Sequence, residues 1–244
     1  RTKYAVSELK SRRWEAFNET KGQQAQDMDP VSEADGFVPY VPRFAGGESE
    51  ENQGVLRGNA MHRAMACLPV QVLAGHPQIS RELERQIDVI TAKGRLTEEM
   101  RMLLNKKRLE AFFVSGLALR MKAAAERGEL YLEQPFVMGR PADEIEGDGS
   151  STMVLVQGIM DAFFIEGGEL VLVDYKTDAV NSEEELAGRY RGQMDWYKKA
   201  LMANTGKRVK EQILYSFYLG REVLLAPAHD PVHPAEYGDQ AGLI

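Results

Sequence analysis

The sequence predicts an α/β fold: a central mixed β-sheet flanked by helices, with an added helical part at the N-terminus. Three observations carry that expectation. Helical patterns fill residues 55–127, β-rich runs fill residues 130–175, and a long capped helix from Ser182 precedes a return to strands at Gln212. Ser7 to about Phe17 reads as a short helix carrying the basic pair Arg12 and Arg13. Residues 19–53 then shift to Gly, Pro, Asp, Glu, Gln and Ser with no apolar period. A stretch of that length and composition is a linker or a functional loop. Two readings stand for it: a plain acidic linker, or a flexible connector with a docking patch around Phe37, Tyr40 and Phe44.

A helix from Val55 to Cys67 is stopped by Pro69, and further helical patterns run from Ser80 to Lys93 and from Thr97 to Arg127. In the last of these Thr97 is the N-cap, Glu98 and Glu99 sit at the positive end of the helix dipole, and Gly128 supplies the C-cap. Leu130 to Met138 reads as a strand, followed by an acidic, Gly-rich loop to Ser151 and two β-rich runs, Met153–Ile165 and Leu170–Tyr175. Ser182 opens the next helix with Glu185 at the capping-box position, and Gly206 ends it. Gln212 to Leu219 is a strand, turned at Gly220-Arg221-Glu222 into Val223–Leu225. The tail from Ala226 has no period and reads as loosely held, and its His229 and His233 are not assigned as ligands. The organisation is therefore a helical entry (1–18), an acidic connector (19–53), a main domain (54–225) and an irregular tail (226–244).

Composition narrows the function. The chain has 244 residues, 43% of them hydrophobic and 27% charged, which are ordinary globular values. One cysteine, Cys67, rules out a disulfide framework and an iron–sulfur cluster built by this chain alone. No apolar run approaches the roughly 20 residues needed to span a bilayer, so a soluble, cytoplasmic protein with no membrane partner is expected. The chain starts at Arg1 with a helix-like segment, which reads as a piece of a longer protein. A net charge of −7 argues mildly against nucleic acid, but a bound divalent cation reverses the field locally.

The strongest local signal is the run Phe163-Phe164-Ile165-Glu166-Gly167-Gly168-Glu169-Leu170-Val171-Leu172. Two apolar runs separated by Gly-Gly predict a tight hairpin with a primed turn. If the two glycines form the loop, Asp161 falls opposite Asp174, with Cβ atoms roughly 4.5–5.5 Å apart. Alternation puts Asp174 and Lys176 on one face and turns Tyr175 away. Two carboxylates and an ammonium at the end of apolar strands suit a Mg²⁺-like ion; the competing reading is a surface Asp–Lys salt bridge. On the metal reading the acids repel each other, so Asp161→Ala and Asp174→Ala should leave the fold intact or more stable.

Other candidates are individually weaker. His62 lies on the Val55–Cys67 helix with Gly58 one turn earlier. A helical Gly costs roughly 1 kcal/mol relative to Ala and calls for a reason such as close backbone approach. A lone helical His is as readily a core or surface residue. Gln193 and Tyr197 share a helix face and read as either core or site lining; Glu133, in an apolar strand before Pro135, is either an edge charge or a site carboxylate.

Together, Gly58-Asn59-Ala60-Met61-His62, Glu133-Gln134-Pro135-Phe136, Gly158-Ile159-Met160-Asp161, Asp174-Tyr175-Lys176-Thr177-Asp178 and Gln193-Met194-Asp195-Trp196-Tyr197 resemble, in order and spacing, RecB-type nuclease domains of the PD-(D/E)xK superfamily. Within them the resemblance is to AddA-type C-terminal nuclease domains, and it extends over nearly the whole chain. It implies a restriction-endonuclease-like fold and a DNA-cleaving, exonuclease-type activity in double-strand break repair. It implies Mg²⁺, which Mn²⁺ can replace, held by His62, Asp161, Asp174 and the backbone carbonyl of Tyr175. It casts Lys176 as the residue that orients or deprotonates water, with Gln193, Tyr197, Gly58 and Glu133 lining the site or touching DNA. The implied partners are single-stranded DNA ends, an N-terminal helicase part of the parent chain, and an AddB-like second subunit. Two competing readings remain. Asp174-Tyr175-Lys176 fits an aspartyl-phosphate nucleophile poorly, because neither Tyr175 nor Lys176 is the residue that chemistry requires next to its Asp. The other is a non-cleaving module that guides DNA or docks a partner.

Overall fold

The Gly167-Gly168 turn sets the centre of the sheet, both glycines adopting positive φ (63° and 83°), as a primed two-residue turn requires. The computed structural model describes residues 3–6, 50–146, 151–226 and 241–243. The expected helix over Ser7–Phe17, the patch around Phe37, Tyr40 and Phe44, and the tail histidines His229 and His233 lie outside the described residues.

The described strands are β1 (Lys3–Ala5), β2 (Leu130–Pro141), β3 (Met153–Glu166), β4 (Glu169–Lys176), β5 (Val209–Ser216), β6 (Arg221–Leu224) and β7 (Ala241–Leu243). They form one mixed sheet in the order β6-β5-β4-β3-β2-β7, with β1 pairing separately, in parallel, with β3. β4 and β5 are parallel, joined by helix α8 (Glu183–Thr205), while β2, β3 and β4 form an antiparallel core. The remaining helices are α1 (Glu50–Cys67), α2 (Val70–Leu73), α3 (Ile79–Ala92), α4 (Glu98–Leu103), α5 (Lys106–Phe113), α6 (Gly116–Glu126) and α7 (Asp143–Glu146).

Two apolar cores lie on the two faces. On one, α1–α3, α5 and α6 pack against Ala162, Phe164, Val171, Val173 and Tyr175; on the other, α8 packs against Val154, Met160, Phe163, Leu170 and Leu172. Alternation along β4 therefore sends successive side chains into different cores, as expected of a strand buried on both faces.

Some expectations need correcting. The pattern over Thr97–Arg127 is three helices, broken where Asn105 and Ser115 cap new ones by accepting from the backbone N–H of Arg108 and Ala118. Mid-pattern Asn and Ser compete for backbone hydrogen bonds and so start helices rather than continue them. α1 begins at Glu50, inside the stretch read as connector. In the tail, Ala241–Leu243 pairs antiparallel with Phe136–Met138, a three-residue strand too short to show a period. Thr97, Ser182 and Gly206 do cap as expected, Gly206 at φ 65°.

Candidate active site

The site arises where the sheet is interrupted. β3 pairs with β4 only as far as Ala162↔Val173, and with β1 at Leu155–Gln157; residues 158–161 lie between those two ladders. On the other edge of β3, the ladder to β2 includes Leu132↔Ala162 and Gln134↔Met160 but skips Glu133 opposite Asp161. Glu133 has φ 47°, the only non-glycine residue at positive φ among the described residues. That conformation costs about 1–2 kcal/mol for a residue with a Cβ. Both strands change faces there: Leu130 and Leu132 pack with the helical half, Phe136 and Met138 with α8, and likewise Ala162 against Met160.

Asp161 sits at this switch. Its Oδ2 accepts a hydrogen bond from the backbone N–H of Tyr175 (2.8 Å), and its Oδ1 lies 3.1 Å from Nδ1 of His62. One carboxylate thus ties together β3, β4 and α1. Gly58 explains how α1 comes so near: a Cβ at residue 58 would stand 3.2 Å from Oγ1 of Thr177, the residue after Lys176. The helical glycine serves a close approach, the reason its cost inside a helix led one to expect.

Asp174 and Lys176 face the α8 side and are 2% and 1% exposed. Nζ of Lys176 is 2.9 Å from Oδ2 of Asp174 and 3.9 Å from the centroid of the Tyr190 ring. The surface salt-bridge alternative is excluded by that burial. Tyr190 in turn donates its hydroxyl hydrogen to Asp178. Nearby, Gln193 Nε2 donates to the Tyr197 hydroxyl (2.9 Å), and the Tyr197 ring meets Phe136 edge-on at 5.6 Å. Gly158 makes room for that pair, since a Cβ there would lie 2.9 Å from Phe136 and 3.1 Å from Tyr197.

Burial pushes the Tyr197 phenol well above its ordinary range, and Asp174 and Asp161 push it further. Burial does the same to Tyr175, again with Asp161 and Asp174 adding to it. These two tyrosines project into opposite cores, yet each feels both acids, so the carboxylates lie at the boundary between the two faces.

The expected Asp161–Asp174 cross-strand pair is therefore modified. The hairpin register is as the turn predicts through Ala162↔Val173, but the ladder stops one pair short and Asp161 turns to the Tyr175 amide. The acids, His62, Lys176, Gln193 and Tyr197 are all brought to this region. Gln193 and Tyr197 are buried, 2% and 3% exposed, and form its floor rather than its rim. Glu133 sits at the edge, its Oε2 3.5 Å from Arg63. Residues not singled out from sequence include Tyr190, hidden in an apolar helical stripe, and Asp178, whose place in the Asp174–Asp178 run was its only signal.

Two carboxylates, an imidazole and the Tyr175 carbonyl form a donor set suited to a hard divalent cation. Among the described residues no three His, Cys, Asp or Glu side chains come together closely enough to hold a metal. Asp174 is turned to Lys176, and Asp161 to His62 and the Tyr175 amide.

A strand end bearing Asp-x-Lys, with a second Asp on the neighbouring strand, is what the superfamily's name abbreviates. The sequence profile of the PD-(D/E)XK nuclease superfamily matches residues 37–237. The chain belongs to this superfamily. As a PD-(D/E)XK protein it is similar to curated relatives named as ATP-dependent helicase/nuclease subunits of the AddA type. One, from Lachnoclostridium phytofermentans, is 34% identical over 80% of this chain and 16% of its own length. That from Clostridium perfringens strain 13 is 34% identical over 76% of the chain and 15% of its own length, and that from Clostridium kluyveri 31% over 88% and 16%. The chain thus spans about 16% of the length of the relatives it matches.

Proposed function

We propose that this chain is the DNA-cleaving domain of an AddAB-like helicase–nuclease, hydrolysing phosphodiester bonds from single-stranded ends during double-strand break repair. The observation that carries the reading is Asp161 held between His62 and the Tyr175 amide, one residue along β4 from the buried Asp174–Lys176 pair. On this reading the parent chain supplies an ATP-driven helicase part, an AddB-like partner completes the machine, and the site works in the cytoplasm. The relatives' printed name supports the helicase part.

Asp161, Asp174, His62 and the Tyr175 carbonyl would hold Mg²⁺, with Mn²⁺ able to replace it. The bound ion lowers the pKa of a coordinated water and offsets charge on the scissile phosphate. The Tyr175 N–H and His62 fix the orientation of the Asp161 carboxylate, which keeps its remaining lone pairs available to a cation. Lys176 places its ammonium on the same strand end, where it orients the attacking water, takes its proton and faces the developing negative charge. Asp174 and the Tyr190 ring hold the ammonium in place, and a cation over a ring face is favourable in a desolvated site. Gln193 Oε1 is buried with no hydrogen-bond partner among the described residues, an acceptor left over on the floor.

The test is cleavage of linear single-stranded DNA in Mg²⁺, in Mn²⁺ and in EDTA. Wild type should cut with either ion and not in EDTA. Lys176→Met should not cut, nor should the double variant Asp174→Asn/Lys176→Met, which removes the buried charges together. Cleavage by the double variant at the wild-type rate sinks the reading.

A further inference from the structure

We infer that the cleft between α1, α5 and the end of β5 is the groove that carries an unpaired DNA strand to the candidate site. The inference rests on the nuclease reading above and names the groove and the form of substrate it accepts.

The cleft encloses about 650 Å³ and opens beside the site, since Met61 and Thr177, the chain neighbours of His62 and Lys176, form part of its wall. In a chain of net charge −7, none of its lining residues is acidic. Four are basic: Arg57 from α1, and Lys106, Lys107 and Arg108 from the start of α5. Lys106 is neutralised by Glu84 (2.7 Å). Arg57, Lys107 and Arg108 have no ion-pair partner among the described residues. That contrasts with Arg120, Arg127, Arg140 and Arg189, each matched to a carboxylate. Unmatched cations gathered around one concavity are the electrostatic footprint of a phosphate backbone.

The second component is aromatic. Tyr218 is 48% exposed and lies at the cleft with the Arg108 guanidinium 5.2 Å from its ring centroid. An exposed ring beside unpaired cations offers a base a stacking surface and its phosphates a counter-charge. That combination recognises single strands without reading sequence. A paired base has both faces stacked already and gains nothing from it, so the groove selects unpaired DNA.

The experiment measures fluorescence anisotropy of labelled oligo(dT) with the full 244-residue chain in EDTA, so that no cutting interferes. Tyr218→Ala should weaken binding roughly tenfold, and Tyr218→Phe should retain wild-type binding. Arg57→Gln and Lys107→Gln should each reduce the slope of log affinity against log salt by about 0.7. Blunt duplex binding should be unaffected by Tyr218→Ala. Oligo(dT) binding unchanged in Tyr218→Ala and in Arg57→Gln/Lys107→Gln overturns the groove and leaves the cleft as a protein contact. If those variants still cut, the nuclease reading survives that result; if wild type binds oligo(dT) through Tyr218 but cuts nothing, the groove stands and the nuclease reading falls.

Discussion

The two ends of the β3–β4 hairpin carry similar charges to different effect. At the turn end, Glu166 is bound by two nitrogens of Arg120, which also bridges to Glu211, and Lys210 reaches the same Glu166. All four are partly exposed, the backbone ladder is continuous, and the turn residues are glycines suited to it. At the open end the acids and the lysine sit where the ladder stops, beside a glutamate forced into a left-handed backbone, and Asp174 and Lys176 are fully buried. Burial of an ion pair is weak evidence for stability, because desolvation cancels much of the attraction. What separates the two clusters is not charge but the interruption around it. Strained backbone and missing ladder bonds accumulate at the open end, where structure alone gains nothing from them.

Substitution can erase the contrast between the two ends. The largest effect is expected from Lys176→Met, which should lower cleavage by about 10²–10⁴-fold, the usual range for loss of a group handling a proton. It also strands Asp174 as a buried charge, at about 3–5 kcal/mol of stability. Denaturant melts should show that Asp174→Asn in the same chain recovers most of this loss without restoring cleavage. The same argument reverses the sequence-based expectation that Asp174→Ala is harmless to the fold: Lys176 already neutralises Asp174, so removing it leaves a buried ammonium.

Next in size is Gly158→Ala, whose new methyl would meet Phe136 at 2.9 Å. Overpacking of this kind costs about 1–3 kcal/mol, read as a lower melting temperature. Cleavage should fall with it, because Tyr197 must shift.

At the turn end, Arg120→Met should cost about 1 kcal/mol and leave cleavage unchanged. The hydrogen bond from Arg120, helped by Lys210, holds the Glu166 carboxyl down at about 2. A carboxyl depressed in the folded state adds stability above its unfolded value near 4.3 and loses it as pH falls toward 2. Wild type should therefore lose stability across that window more steeply than Arg120→Met, as acid melts would reveal. Parallel curves would remove Glu166 from the account.

The smallest effect is expected from Glu133→Gly, which relieves the positive φ and should raise stability by about 0.5–1 kcal/mol while lowering cleavage. A variant both more stable and fully active would show that the strain serves no catalytic purpose.

Much of this was legible in the sequence, and the reasons differ by element. Gly167-Gly168 fixed the register because a two-residue turn leaves no freedom, and the Ser182 and Gly206 caps bounded α8 by local hydrogen bonding alone. Gly58 and His62 were readable because a glycine inside a helix demands an explanation. The face switch at Glu133 and Asp161 was not readable: period-two reasoning assumes regular pleating, and nothing in Leu132-Glu133-Gln134 announces a left-handed glutamate. The Tyr190–Lys176 contact was hidden because a tyrosine in an apolar stripe looks like core and, in part, is core.

The Tyr175 residue has a consequence for how the molecule responds to damage. Its ring is clasped by Phe112 and Phe217 in the helical core, while its own amide positions Asp161, and the residues on either side of it, Asp174 and Lys176, belong to the opposite core. Any loosening of either core is thus felt within one peptide unit of the acids. The cutting centre acts as a strain gauge for the whole domain, silenced by packing defects far from it well before the chain unfolds.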